Sequence, residues 1–184
     1  MTTMTGPMTV DEFLALPEKE GVRMELSDGV LIEEEITLGN ANPRDERVKA
    51  NFNRILVIFA DQHQLGEVFP ESIFKMKGSA REPDVAFISA KRLIPGRPET
   101  YLAGAPDIAI EIVSSDKAAE LERKIEQYFE GGAKFVWVAY PDRRVIRVCD
   151  PTLNARFLHE DQFLEAPDVL PGFRVSVSKF FEGL

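Results

Sequence analysis

The sequence predicts an α/β fold: one domain with a mixed central sheet and flanking helices. Three observations predict it. An apolar run at 108–113, a helical segment from about 117 to 130 and a second apolar run at 134–140 have the spacing of a right-handed β-α-β crossover between parallel strands. Residues 43–63 carry Val48, Phe52, Ile55, Leu56 and Phe59 at helical spacing, marking the long helix. The 184 residues suit one core, with no internal repeat or low-complexity linker, so residues 1–184 read as one domain with its core at about 22–150.

The elements follow in order. Thr9 stands three residues before Glu12 and caps a short helix within 8–16. Two short runs flank Ser27-Asp28-Gly29, which reads as a hairpin over 22–32. Pro43 and Asp45 open the helix at 43–63. An extended region runs from Gly66 to Met76, and a strand follows from Pro83 to Ser89. Residues 91–105, with Pro95, Gly96, Pro98 and Gly104, read mostly as loop. After the strand at 108–113, Ser114-Ser115-Asp116 reads as a helix N-cap and Gly131-Gly132 as the helix end. Pro141-Asp142 turns the strand at 134–140 into another at 144–148. A strand and a short helix close the chain over 170–184.

Composition narrows the function. With 44% hydrophobic and 29% charged residues the chain reads as soluble and globular. It has neither an apolar run long enough to span a bilayer nor a signal-peptide pattern at the N-terminus. One cysteine, Cys149, forms no internal disulfide and suits a reducing, cytoplasmic compartment. One cysteine and two histidines argue against structural zinc. The formal net charge of −9 argues against tight nonspecific DNA binding, because phosphate neutralisation supplies most of that affinity. It leaves room for a nuclease whose acids hold metal ions.

Glu111 is the most informative residue. In the segment Pro106-Asp-Ile-Ala-Ile-Glu-Ile-Val113, Ile108, Ile110 and Ile112 face one way, and Asp107, Ala109, Glu111 and Val113 the other. A carboxylate inside such a strand is costly unless it is paired or binds a cation. Asp84 has a similar setting before Val85-Ala-Phe-Ile88. Lys124 shares a helix face with Leu121 and Tyr128. Two strand acids suit a hard divalent ion, Mg²⁺ or Mn²⁺, that polarises a phosphate and activates water. The lysine would stabilise charge in the transition state. Glu25, in the first hairpin, is a further acid for the ion or its water. Each residue also has a plainer reading: a turn for Asp84, an internal ion pair for Glu111, a snorkelling stem for Lys124, a solvated hairpin residue for Glu25.

Several ordered pieces carry a resemblance: Met24-Glu-Leu-Ser-Asp-Gly29, Pro83-Asp-Val85, Pro106-Asp-Ile-Ala-Ile-Glu-Ile-Val-Ser114, Arg123-Lys-Ile-Glu-Gln-Tyr128, Gly132-Ala-Lys-Phe-Val-Trp137 and Leu170-Pro-Gly-Phe173. Together they resemble the Uma-type endonucleases, a bacterial family of the PD-(D/E)xK, or restriction-endonuclease-like, superfamily. The resemblance implies a restriction-endonuclease-like core, with Asp84 and Glu111 as the metal-binding acids. It also implies that the lysine expected at Val113 has moved to Lys124 on the next helix, and that Glu25 matches an early family glutamate. A histidine common at the start of the first long helix is missing from Arg44-Asp-Glu-Arg47. Ser114-Ser115-Asp116 stands where Ser-Pro-Ser is common, and Tyr140 where an Asp is.

The expected function is therefore a Mg²⁺-dependent endonuclease acting on DNA, working as a homodimer because a duplex has two strands to cut. The expected interface lies in the hairpin and the helix at 43–63. A DNA groove would be lined by Arg44, Arg47, Lys49, Lys75, Lys77, Arg81 and Lys117. A noncatalytic module with the same fold and a hydrolase of another phosphate ester stay open as alternatives.

Overall fold

The computed structural model describes residues 7–35, 42–93, 100–113 and 118–184. Helix α1 (Val10–Leu14) starts with the expected reciprocal cap: Thr9 N donates to Glu12 Oε2 at 2.8 Å and Glu12 N to Thr9 Oγ1 at 3.2 Å. Strands β1 (Val22–Ser27) and β2 (Val30–Glu35) pair antiparallel through a two-residue turn. Asp28 and Gly29 both have positive φ, 50° and 80°, the conformation that matches the twist of the flanking strands. A side chain at Gly29 would also strike Pro7.

Helix α2 (Pro43–His63) begins with Asn42 accepting from Arg44 N at 3.1 Å and proline in its first turn. Gly66 opens β3 (Gly66–Pro70), where a Cβ would lie 2.0 Å from the Ile88 carbonyl oxygen. Next come β4 (Phe74–Met76), β5 (Ser79–Arg81) and β6 (Val85–Ser89). The region expected to be one extended stretch is thus broken into short strands, and β5 extends it beyond Met76. A 3-10 turn (Ala90–Arg92) and β7 (Leu102–Ala103) interrupt the segment expected as loop. Strand β8 (Ile108–Ile112), helix α3 (Ala118–Glu130) and β9 (Phe135–Tyr140) form the crossover, with β8 and β9 parallel. The expected N-cap at Ser114-Ser115-Asp116 lies outside the described residues.

Strands β10 (Val145–Cys149), β11 (Ala155–Leu158), β12 (Phe163–Ala166) and β13 (Leu170–Ser176) follow, then a 3-10 turn (Val177–Phe181). Strands β11 and β12 were not expected. Both are short and mix charged with apolar residues.

Six strands form one mixed sheet in the order β11-β10-β9-β8-β6-β3, and five form a second in the order β2-β1-β5-β4-β7. The buried run Val85–Ser89 is an interior strand of the six-stranded sheet, which explains its unbroken apolar character. The two faces of β8 divide as the alternation requires. Ile108 and Ile110 join Phe52 and Leu56 of α2 and Phe180 in one core, whereas Ala109 joins Leu121, Ile125 and Tyr128 of α3 in another. In the five-stranded sheet, Leu26 and Ala80 pack with Val10 and Phe13 of α1. Glu25, Ser27, Ser79 and Arg81 alternate with them and occupy the opposite face. Among the described residues, no helix is long and apolar enough to cross a membrane.

Candidate active site

Asp84 and Glu111 meet at one end of the six-stranded sheet. Antiparallel β6 and β8 pair Val85 with Ile110, and one further step brings Asp84 opposite Glu111. Both are buried, at 7% and 5% exposure. Ile112 N donates to Asp84 Oδ2 at 2.7 Å, fixing that carboxylate against the end of β8. Its other oxygen, Oδ1, faces Lys49 Nζ at 3.5 Å and an Arg23 guanidinium nitrogen at 3.8 Å.

Lys124 comes to Glu111 from α3. Its Nζ lies 3.2 Å from Glu111 Oε2 and 3.1 Å from Glu25 Oε1, so one ammonium serves two acids from different sheets. Tyr128, one helical turn on, donates its hydroxyl to Glu111 Oε1 at 2.7 Å. The structure thus brings together all four residues singled out in the sequence. Glu25 is 6% exposed and internally paired, which removes its reading as a solvated hairpin residue.

Arg81 anchors the cluster. Its side chain is fully buried. It donates to Gln127 Oε1 (2.6 Å), Glu25 Oε2 (3.0 Å), Glu120 Oε1 (3.0 Å) and Ser27 Oγ (2.7 Å). Its expected place in an exposed DNA groove is therefore corrected. A guanidinium offers five donors in a fixed fork, and here four of these bonds tie β1 to α3. Gln127 adds bonds to Ser27 Oγ and Asp28 Oδ2, and Arg123 pairs with Asp28. Of the other groove candidates, Lys49 reaches the site, Arg44 pairs with Asp142 and Lys75 with Asp11, and Lys117 lies outside the described residues.

Sequence reasoning missed Tyr128 as a hydrogen-bond donor, missed Arg23 and Arg81 as partners of the acids, and missed Gln127 as a partner of Arg81. Tyr128 and Gln127 had a signal: they sit four and three residues after Lys124, on or beside its helix face. Arg23 and Arg81 had none, because their partners come from distant segments.

Burial pushes Glu111 up to about 7, with Asp84 and Glu25 adding to the effect against the pull of Lys124. Burial also works to raise Glu25, but Lys124, Arg81 and the Glu82 N–H outweigh it and hold Glu25 below the usual range. Burial works to lower Lys124, yet Glu111 and Glu25 hold it above the usual lysine range. Tyr128 is raised by burial and by Glu111, so it stays protonated and donates. Glu111 is thus readier than Glu25 to take a proton.

A stability prediction follows from that shift. Folded Glu111 keeps its proton up to about 7, while the unfolded chain releases it near the ordinary 4.5. Between those values the folded state binds more protons, so raising the pH destabilises the metal-free protein. Glu111→Gln removes this contribution. Melting in EDTA should show the variant gaining on the wild type as pH rises from 5 to 8. An equal difference at both pH values would show that Glu111 does not titrate this way.

A family model described as "Putative restriction endonuclease" (Uma2) matches residues 10–178. The chain belongs to this family. A solved structure resembles this Uma2 protein with a TM-score of 0.80 and 22% identity, over 95% of this chain and 98% of that one. It is described as "a putative nuclease belonging to DUF820" from Anabaena variabilis. At that identity the likeness shows the fold. No curated protein matches the chain.

Proposed function

We propose that this Uma2 protein hydrolyses phosphodiester bonds in DNA as an endonuclease, with Mg²⁺ or Mn²⁺ held by Asp84 and Glu111. The observation that carries the reading is two buried carboxylates opposed across a strand pair, with a lysine on one of them. Among the described residues no group of three or more His, Cys, Asp or Glu side chains is arranged to hold a metal. The donor set we assign is these two acids. It fits Mg²⁺, which prefers one or two carboxylates and fills its remaining positions with water and substrate phosphate. Bound there, the ion supplies Lewis-acid polarisation of the phosphate and lowers the pKa of a water.

The chain's own residues do the rest. Tyr128 and Ile112 N fix the orientation of the two carboxylates. Lys124 places its ammonium beside Glu111, where it offers donors to negative charge developing on the phosphate oxygens. Glu25 gives that ammonium a second anchor, and Arg81 fixes Glu25. A cytoplasmic location suits DNA as substrate and a reduced Cys149. Cutting both strands of a duplex calls for two such sites, hence a homodimer.

One observation favours a second reading, a noncatalytic module: Lys124 and Arg81 already neutralise Glu25 and Glu111 without any ion. Two measurements separate the readings. Supercoiled plasmid should be nicked or linearised with Mg²⁺ or Mn²⁺, and EDTA should stop it. Mg²⁺ should also raise the melting temperature by binding the folded state alone, and Glu111→Gln should lose that response. No cutting with either ion, together with an unchanged Mg²⁺ response in Glu111→Gln, would leave the noncatalytic reading in its place.

A further inference from the structure

A second pair of cations stands beside Asp84 with no part in the chemistry above. Lys49 Nζ, from α2, and the Arg23 guanidinium, from β1, converge on one oxygen of Glu71, at 2.8 and 3.9 Å. The same cations face Asp84 Oδ1 at 3.5 and 3.8 Å. Each keeps another carboxylate: Glu46 lies 3.0 Å from Lys49, and Glu82 accepts two bonds from Arg23 at 3.0 and 3.1 Å. The Lys49 and Arg23 side chains are mostly buried, at 16% and 22% exposure, whereas Glu71 is 53% exposed.

Glu71 also has an unusual backbone. It follows Pro70 at the end of β3 with φ of 42°, a left-handed conformation in which long side chains are uncommon. Such strain persists where surrounding structure enforces it, and it clusters at functional sites. Here the conformation delivers a carboxylate to the point where two cations meet, beside Asp84, whose carbonyl accepts from Glu71 N at 3.3 Å.

We propose that Lys49 and Arg23 form a seat for a backbone phosphate of the nucleic-acid substrate, and that Glu71 fills it in the free protein as a stand-in anion. This rests on the nuclease reading for the identity of the phosphate. Carboxylate and phosphodiester both present anionic oxygens, and guanidinium and ammonium groups bind either. An arriving phosphate displaces the exposed Glu71, while the mostly buried Glu82 stays to hold Arg23 in place. The arrangement explains how a chain of net charge −9 can take a polyanion: its useful cations are pre-positioned and shielded by a removable acid.

The test is binding of a fluorescein-labelled 20-base-pair duplex in EDTA, followed by anisotropy, so that no cutting occurs. Glu71→Gln should bind about tenfold tighter than wild type, and Lys49→Ala about tenfold weaker, the scale of one charge-assisted hydrogen bond. Lys49→Ala should also lower the salt slope by about 1, as one lost phosphate contact requires. Glu71→Asn, which tolerates a left-handed backbone, should match Glu71→Gln and separate charge from strain. Lys179→Ala, an exposed lysine elsewhere, should leave affinity unchanged. Glu71→Gln binding no tighter than wild type, or neither binding measurably, would overturn the seat. So would stabilisation of Glu71→Gln by inorganic phosphate without duplex binding, since the seat would then serve small phosphate esters. Tighter binding by Glu71→Gln alongside undiminished cutting by Asp84→Ala would keep the seat and remove the assigned active site.

Discussion

In a plasmid-cutting assay with Mg²⁺, Asp84→Ala and Glu111→Ala are each expected to leave no activity above background. On the proposed site each removes one of the two acidic ligands, which weakens the hold on the ion and misplaces it against the phosphate. Asp84 keeps one oxygen on Ile112 N and turns the other toward Lys49 and Arg23, so its alanine variant also takes a carboxylate from those two cations. Lys124→Ala is expected to lose about 10²–10³-fold, the scale of one transition-state donor, while keeping its Mg²⁺-dependent rise in melting temperature. Far-UV circular dichroism of each variant separates a lost site from a lost fold. Cutting that survived all three substitutions would point to a contaminating nuclease.

Arg81→Ala is expected to be the most destabilising single change among the charged residues, by about 3–5 kcal/mol, the cost of breaking a buried charge network by removing one partner. For a chain of this size that lowers the melting temperature by roughly 6–20 °C. The substitution strips Glu25 Oε2 and Gln127 Oε1 of their donor and leaves a cavity where a full guanidinium was packed. Adding Glu25→Gln should recover part of the loss, because the stranded charge goes with it; a double-mutant cycle measures how much. A loss below about 1 kcal/mol in Arg81→Ala would show that the network stabilises little.

Where periodicity spoke, the sequence was legible. The helix at 43–63 matches α2 to the residue, because a twenty-one-residue amphipathic pattern leaves few alternatives. The alternation around Glu111 sorted Ile110 and Ala109 onto opposite cores, as the structure has them. Lys124 was placed beside Glu111 because a helix after a strand packs its apolar stripe back on the sheet. Strands β5 and β11 were invisible for a physical reason. Each is three or four residues long, and β5 buries an arginine, so hydrophobicity carries no signal of it. The arginine partner of Glu25 was equally hidden, since a hydrogen bond between residues 25 and 81 leaves no spacing to read.

Only Glu82 and Pro83 separate Arg81, the last residue of β5 in one sheet, from Asp84 at the mouth of β6 in the other. Three steps of extended chain span about 10 Å at most. The two ends of that short tether are each pinned, Arg81 by four hydrogen bonds and Asp84 by Ile112 N. There is no slack for a lost residue, which would force either the guanidinium off Glu25 or the β6 ladder out of register with β8. The distance between the two sheets is thus written into chain length at this crossing. Over evolutionary time, deletions in this protein have to fall elsewhere, and Glu82, which accepts two hydrogen bonds from Arg23, is tied to its place within the same ruler.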